Sequence, residues 1–211
     1  MSENHTEIEI KVHVHDLGRI EKRLLGLGAL LLHPRQHEIN LRFDTPERSL
    51  ASKAQVLRLR QDDQARLTFK GQGTAQDGVR IRQEIEFTVS DFEAARLLLE
   101  ALGFQVYTAY EKYRTTYLFK SCEIVLDELP YGSFYEIEGP DVETVQAVNS
   151  DLGLRWGAGV ALSYTELFQQ LRRVYGWGFN DLTFENFMGV AFDLAAAGVK
   201  PADEEVESGG G

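Results

Sequence analysis

Several short stretches of this chain place an ionisable side chain at every second position. "EIEIKVHVH" carries Glu7, Glu9, Lys11, His13 and His15; "QVLRLRQ" carries Arg58 and Arg60; "RLTFK" carries Arg66 and Lys70. "VRIRQEIEF" sets Arg80, Arg82, Glu84 and Glu86 in one file, and "YEKYRTTYLFK" sets Lys112 beside Arg114. "EIVLD" and "SFYEIE" add Glu123, Asp127, Glu136 and Glu138. Apolar residues fill most of the positions between. Residues two apart share one face of a β-strand, so each stretch reads as a strand with one apolar and one charged face. A sheet with one solvated face accounts for any of these strands alone. It accounts less well for the whole set, because the polar face is chiefly Glu and Arg, with few Ser, Thr or Gln.

If the charged faces were turned inward in a closed barrel, the lumen would hold acids and bases in similar number. Such a lumen calls for a polyanion and metal ions to balance it. Arginine and lysine recognise phosphate oxygens through charge-assisted hydrogen bonds. Carboxylates tolerate a triphosphate only with a divalent cation between them, and Mg²⁺ or Mn²⁺ takes carboxylate, water and phosphate oxygens. Phosphoryl transfer then proceeds by positioning and charge stabilisation.

The elements that must carry these residues alternate irregularly. Strands are expected at 7–15, 55–61, 66–70, 79–87, 110–120, 123–127 and 133–138. Helical spacing appears in "DLGRIEKRLLGLGALL" after a cap at Asp16, in Ser90–Gly103, in Asp141–Gly153, in "SYTELFQQLRRVYG" and over 184–197. "KGQGTAQDG" and "ELPYGS" read as hairpin connections. The class is α+β, with antiparallel strands interrupted by helices. The expected organisation is a domain over 1–176, a C-terminal helical extension over 177–200 and a flexible acidic tail over 201–211.

Composition narrows the function classes. A chain of 211 residues with 43% hydrophobic and 26% charged residues has the make-up of a globular protein. The net charge of -11 argues against nonspecific nucleic-acid binding, and no apolar run is long enough for a membrane helix. Cys122 is the sole cysteine, which excludes an internal disulfide and fits a reducing compartment, so the cytoplasm is expected. Oligomeric state is not legible.

"EIEIK" resembles the Glu-x-Glu-x-Lys signature of the CYTH domain, the triphosphate tunnel metalloenzyme family of class IV adenylate cyclases and thiamine triphosphatases. "RFDTPERSL", "VLRLR", "LTFKG", "RQEIEF", "EKYRTTY", "VLDELPYGSFYEIEG" and "SYTELF" follow in the family's order, from Glu7 to Phe168. The resemblance implies an eight-stranded antiparallel β-barrel forming a tunnel, with flanking helices. It implies that Arg58, Arg60, Lys70, Arg82, Lys112 and Arg114 hold a triphosphate. Glu7, Glu9, Asp127, Glu136 and Glu138 then match the acids associated with Mg²⁺ or Mn²⁺, and Glu84 and Glu86 are further acids of the wall. Lys11 matches the signature lysine, contacting phosphate or helping to activate the nucleophile. The implied partner is a small-molecule triphosphate. The leading expectation is its metal-dependent hydrolysis; the alternatives are adenylate cyclisation and a binding module without turnover.

Two positions depart from the family's pattern: Arg42 stands where Tyr is common, and Leu162 where Lys is common. Tyr110, Tyr113 and Tyr135 are candidates to replace the tyrosine. His13 and His15 are expected at a tunnel mouth, against solvent or acids. Pro34 disfavours a helical zinc pair from His33 and His37. Cys122 and the tryptophans Trp156 and Trp177 read as core.

Overall fold

The computed structural model describes residues 6–76 and 79–203, apart from the side chains of residues 6, 7, 75, 76, 79 and 80. The strands are β1 (Thr6–Val14), β2 (Leu30–Asp44), β3 (Val56–Gln61), β4 (Ala65–Lys70), β5 (Thr74–Gln76), β6 (Val79–Val89), β7 (Gln105–Phe119), β8 (Cys122–Leu129) and β9 (Gly132–Glu138). The helices are α1 (Leu17–Gly26), α2 (Phe92–Ala101), α3 (Val142–Asp151) and α4 (Tyr164–Tyr175). The antiparallel order β1-β9-β8-β7-β2-β3-β4-β6 returns to β1 through Glu7↔Arg82 and Ile8↔Ile81, so eight strands close in a ring. β5 continues along the β4 side of β6, inside the Gly-rich stretch expected as a hairpin connection.

Alternation decides what faces where. Ile10, Val12 and Val14 of β1, with Ile124 and Ile137, pack outward against Ile20 and Leu24 of α1 and Val145 and Val148 of α3. Phe43 and Leu59 pack outward against Leu99 of α2. Each fully buried aliphatic or aromatic side chain contributes about 1.5–3 kcal/mol, so helices clothing the outside of the ring provide the apolar core and leave the interior to the charged residues. One end of the ring is filled differently. There Tyr110, Leu129 and Phe134 meet Tyr164, Leu167, Phe168 and Leu171 of α4, and the segment after Gly176 adds Leu182, Phe187 and Leu194.

Local signals explain the helix limits. Asp16, Asp91 and Asp141 accept from backbone N–H groups of α1, α2 and α3, and Ser163 with Glu166 forms a reciprocal capping box on α4. Gly176 ends α4 at φ 67°.

Three expectations are corrected. The helix read through residue 31 stops at Gly26, because Gly28 turns the chain at φ 84° into β2. β2 itself was missed: its opening leucines extend the helical spacing, and Pro34 disguises a strand that accommodates it where the pairing skips from His33 to Gln36. The helix over 184–197 is absent apart from a 3-10 turn at Leu194–Ala197, since the aromatic residues there turn to different partners, Phe184 to Tyr113, Phe187 to Tyr131 and Phe168, and Phe192 to Trp177, rather than along one helical face. Of the acidic tail, Asp203 accepts from the backbone N–H groups of His15 and Asp16, and residues 204–211 lie outside the described ones.

Candidate active site

The ring encloses a cavity of about 340 Å³. Of the residues singled out in the sequence, Lys11, Arg58, Arg60, Lys70, Arg82, Lys112 and Arg114 line it, together with Glu9, Glu84, Glu86, Glu136 and Glu138. Glu7 is on β1 opposite Arg82, with its side chain outside the described set. Asp127 is not on the lining; it lies behind it, fully buried.

Most of the charges are linked in one chain along the wall, from Lys11 to Arg58, beside two further pairs. Lys11 Nζ reaches Glu136 at 3.0 Å, and Glu136 accepts from Arg114 at 2.8 Å. Asp127 takes Arg114 Nε at 2.7 Å and Nη2 at 2.6 Å, Lys112 Nζ at 2.9 Å and the Tyr164 hydroxyl at 2.8 Å. Lys112 lies 3.6 Å from Glu38, which is 3.5 Å from Arg60. Arg60 and Arg58 then share Glu86 at 3.1 and 3.3 Å. Lys70 pairs with Glu84 at 2.8 Å and Arg82 with Glu9 at 3.5 Å. Glu84 and Glu86 thus hold the cations in place.

Asp127 stands apart from the acids with which the sequence grouped it. Four donors occupy its two oxygens, so its charge is spent on fixing Lys112, Arg114 and the first turn of α4. Glu9 and Glu138 are differently situated: they are direct neighbours across β1 and β9, and Glu138 in turn faces Glu123 across β8. All three line the cavity. Among the described residues, no three His, Cys, Asp or Glu side chains converge on one point as they stand.

Glu38 went unread in the sequence, although "QHEINLRFD" places Gln36, Glu38, Asn40, Arg42 and Asp44 at period two. Burial alone would raise its carboxyl, but Lys112, Arg114, Arg60 and Arg58 outweigh this and hold it at about 2. The same opposition leaves Glu136 well below the ordinary range, with Lys11 and Arg114 as the outweighing partners. A carboxyl depressed by folding contributes stability above its unfolded value of 4.5, and that contribution is lost as pH falls through 4.5 toward 2. For Glu38 it is about 3 kcal/mol. Melting temperature is therefore expected to hold from pH 7 to 5 and fall below 4.5, with a shallower fall in Glu38→Gln. Equal slopes in the two proteins would contradict this.

Of the candidate tyrosines, Tyr110 alone lines the cavity. Burial pushes its phenol up, yet Arg58 and Lys112 bring it below its ordinary value, and its hydroxyl accepts from Arg58 at 3.4 Å. Tyr113 lies under Arg35, and Tyr135 bonds Asn149 in the outer core. Tyr164, from "SYTELF", carries Lys11 4.3 Å from its ring centroid. His13 is buried beside Phe134 and bonds the Ser133 carbonyl at 2.8 Å, away from a solvated mouth, because the C-terminal segment covers it through Ala202. His37 pairs with Glu111 at 2.7 Å. Cys122 is buried in the outer core, and burial pushes its thiol up. Among the described residues, no helix is long and apolar enough to cross a membrane.

Comparison with known proteins agrees with this architecture. The chain is 28% identical over 134 residues to a Methanocaldococcus jannaschii protein provisionally named adenylate cyclase MJ0240, covering 63% of this chain and 75% of that one. A provisionally assigned adenylate cyclase from Vibrio parahaemolyticus has the same fold at TM-score 0.71 and 21% identity, over 78% of this chain and 98% of that one. The fold is shared too by HpAC1 of Hippeastrum, a protein provisionally assigned as an adenylyl cyclase and described as having a dominant triphosphatase activity. The TM-score is 0.61 and the identity 22%, over 77% of this chain and 95% of that one. The CYTH domain model matches residues 5–150, and with the ring of eight strands and its charged interior, the chain belongs to the CYTH domain family.

Proposed function

We propose that the cavity hydrolyses the terminal anhydride bond of a triphosphate. The observation that carries this reading is the composition of one wall: Arg58 and Arg60 line the cavity side by side on β3, and their Nε atoms make no hydrogen bond, that of Arg60 lying 3.5 Å from Asp62 Oδ2. Guanidinium groups that line a cavity are matched to anionic oxygens through charge-assisted hydrogen bonds. Burial, together with the neighbouring Arg58 charge, pushes the Arg60 guanidinium below its ordinary value, so an arriving polyanion relieves a crowded cation. The modest volume and charged lining favour a triphosphate moiety itself over a nucleoside.

Glu9 and Glu138 fit a divalent ion by donor type and adjacency. Mg²⁺ takes one or two carboxylates and completes its shell with water and substrate phosphate, so a converging set of three protein ligands is not required. Such an ion, when bound, supplies charge neutralisation between the carboxylates and the phosphate and lowers the pKa of bound water. Arg58, Arg60, Lys112 and Arg114 orient the phosphate chain. Water attacks the terminal phosphorus, and Lys11, steadied by Glu136 and the Tyr164 ring, neutralises charge developing on the departing diphosphate portion.

Product analysis tests the proposal. With Mg²⁺ or Mn²⁺ and tripolyphosphate, thiamine triphosphate or ATP, release of orthophosphate supports it. Cyclic AMP with pyrophosphate would establish cyclisation instead, the reading favoured by the name of the M. jannaschii relative. Tight binding without either product would leave a binding module. Glu9→Gln is expected to raise the Mg²⁺ or Mn²⁺ concentration for half-maximal activity about 10- to 100-fold while the fold persists, because it removes a charge from an acid cluster. An unchanged metal requirement would remove Glu9 from the metal site.

A further inference from the structure

Six of the seven buried side-chain polar atoms without a hydrogen-bond partner among the described residues lie on β2 and β3. They are Glu38 Oε2, both amide atoms of Asn40, and the Nε atoms of Arg42, Arg58 and Arg60. The register pairs Asn40 with Arg60 and Arg42 with Arg58, so the set is one contiguous patch with four donors against two acceptors. These atoms are closed to solvent, so the excess marks a cation-rich wall rather than the contact atoms themselves, and Arg42, Arg58 and Arg60, which line the cavity, suit anionic oxygens.

Within the patch Arg42 is unusual. Every other described lysine or arginine lining the cavity has a carboxylate within 4.0 Å, whereas Arg42 has none among the described residues. Its Nη1 donates to Thr165 Oγ1, and its guanidinium lies 5.5 Å from the Tyr107 ring centroid. The side chain is therefore oriented by neutral groups that leave its charge uncompensated. The pairing of β2 with β7 is irregular here, stepping from Arg42↔Thr108 to Phe43↔Val106, which marks a bulge beside the site.

Arg42 also marks an end. The next inward residue of β2, Asp44, is buried and accepts from the backbone N–H groups of Thr45, Leu50 and Ala51, closing its own loop. Thr165 belongs to the first turn of α4, the helix that fills this end of the ring. The chain's two departures from the family's sequence pattern both lie near α4. Leu162 packs with the apolar cluster three residues before Thr165, while the arginine comes from β2.

We propose that Arg42 binds the outermost phosphate of the substrate at the closed end of the tunnel and so selects triphosphates over diphosphates. This rests on the triphosphate reading above. A diphosphate engaging the central Arg58 and Arg60 leaves Arg42 unmet; a third phosphate reaches it.

Titration calorimetry with inorganic tripolyphosphate and pyrophosphate in EDTA, where turnover does not consume the ligand, tests it. Arg42→Ala is expected to raise the tripolyphosphate Kd about 10- to 100-fold and the pyrophosphate Kd less than about threefold. Arg42→Gln, which keeps a donor for Thr165, is expected to show the same split at an unchanged melting temperature. An unaltered tripolyphosphate Kd in both variants, or equal weakening of both anions, overturns the assignment. Arg60→Ala separates this from the broader reading, since it weakens both anions if the cavity is a phosphate site. If Arg60→Ala weakens binding and the Arg42 variants do not, only the Arg42 assignment falls. If the wild-type protein binds neither anion, in EDTA or with Ca²⁺ added as the divalent ion, both fall.

Discussion

Asp127→Ala is expected to destabilise the protein by about 3–5 kcal/mol, lowering the melting temperature by roughly 6–20 °C. Lys112 is 1% exposed, and its strongest partner is Asp127 at 2.9 Å. Without that carboxylate, Lys112 retains the 3.6 Å approach to Glu38 and the Tyr164 ring at 5.3 Å, and the Tyr164 hydroxyl loses the acceptor that ties α4 to the wall. Breaking one side of a buried pair leaves an uncompensated charge, and that cost exceeds what the pair contributes over an apolar replacement. The double variant Lys112→Met/Asp127→Leu is therefore expected to recover part of the loss, because Arg114 keeps Glu136 at 2.8 Å. Thermal and urea unfolding measure both. A shift below about 1 kcal/mol for Asp127→Ala would mean that water reaches Lys112 and that the network is not the tie described.

The complementary result concerns Arg60, where removal is expected to damage substrate use and spare the fold. Arg60→Ala should raise the KM for tripolyphosphate about 10- to 100-fold, the range for losing charge-assisted hydrogen bonds. Inhibition by a monophosphate should weaken much less. Its acidic neighbours are not stranded by the change: Glu38 keeps Lys112 and Arg114, Glu86 keeps Arg58, and Asp62 keeps Arg66. Loss of a cation crowded by Arg58 also relieves repulsion, so stability is expected to stay within about 1 kcal/mol of wild type. Steady-state kinetics at saturating metal, beside a melting curve, gives both numbers. Equal loss for triphosphate and monophosphate would show that Arg60 does not grip a phosphate chain.

These two variants separate two kinds of charge on one wall. Asp127 has its hydrogen-bonding capacity filled by protein donors and serves structure. Arg60 lines the cavity with an Nε that makes no hydrogen bond and only approaches Asp62 at 3.5 Å, and under the proposed function its value is realised when a ligand arrives. Both positions carry the same period-two signature in the sequence, which is why the two roles were not separable there.

Much of the ring was nonetheless legible from local pattern. Alternation in β1, β3, β4 and β6 to β9 reflects a pleated strand with one apolar face, and that property resides in neighbouring residues. Capping residues such as Asp91, Asp141 and Ser163 likewise act over a single turn. The ordered motifs from Glu7 to Phe168 supplied the family and the identity of most cavity residues. β2 escaped because its bulges and Pro34 break the alternation at one end, and Glu38, Asn40 and Arg42 were not recognised as a cavity face along with it.

Closure of the ring was not a local property. An alternating strand is equally suited to an open sheet with a wet charged face, and the sequence by itself fixed only which residues share a face. Pairing β1 with both β6 and β9 turned those faces toward one another, and helices on the outside took over the apolar burial. In that enclosed space the partner of each charge depends on residues far apart in sequence: Asp127 meets Tyr164, and Arg42 meets Thr165. The sequence determined the inventory of acids and bases and the strands that carry them. Only the tertiary structure decided which charges neutralise one another and which, like that of Arg42, are left facing the cavity, because Coulomb energy and desolvation depend on distance and burial in the folded chain.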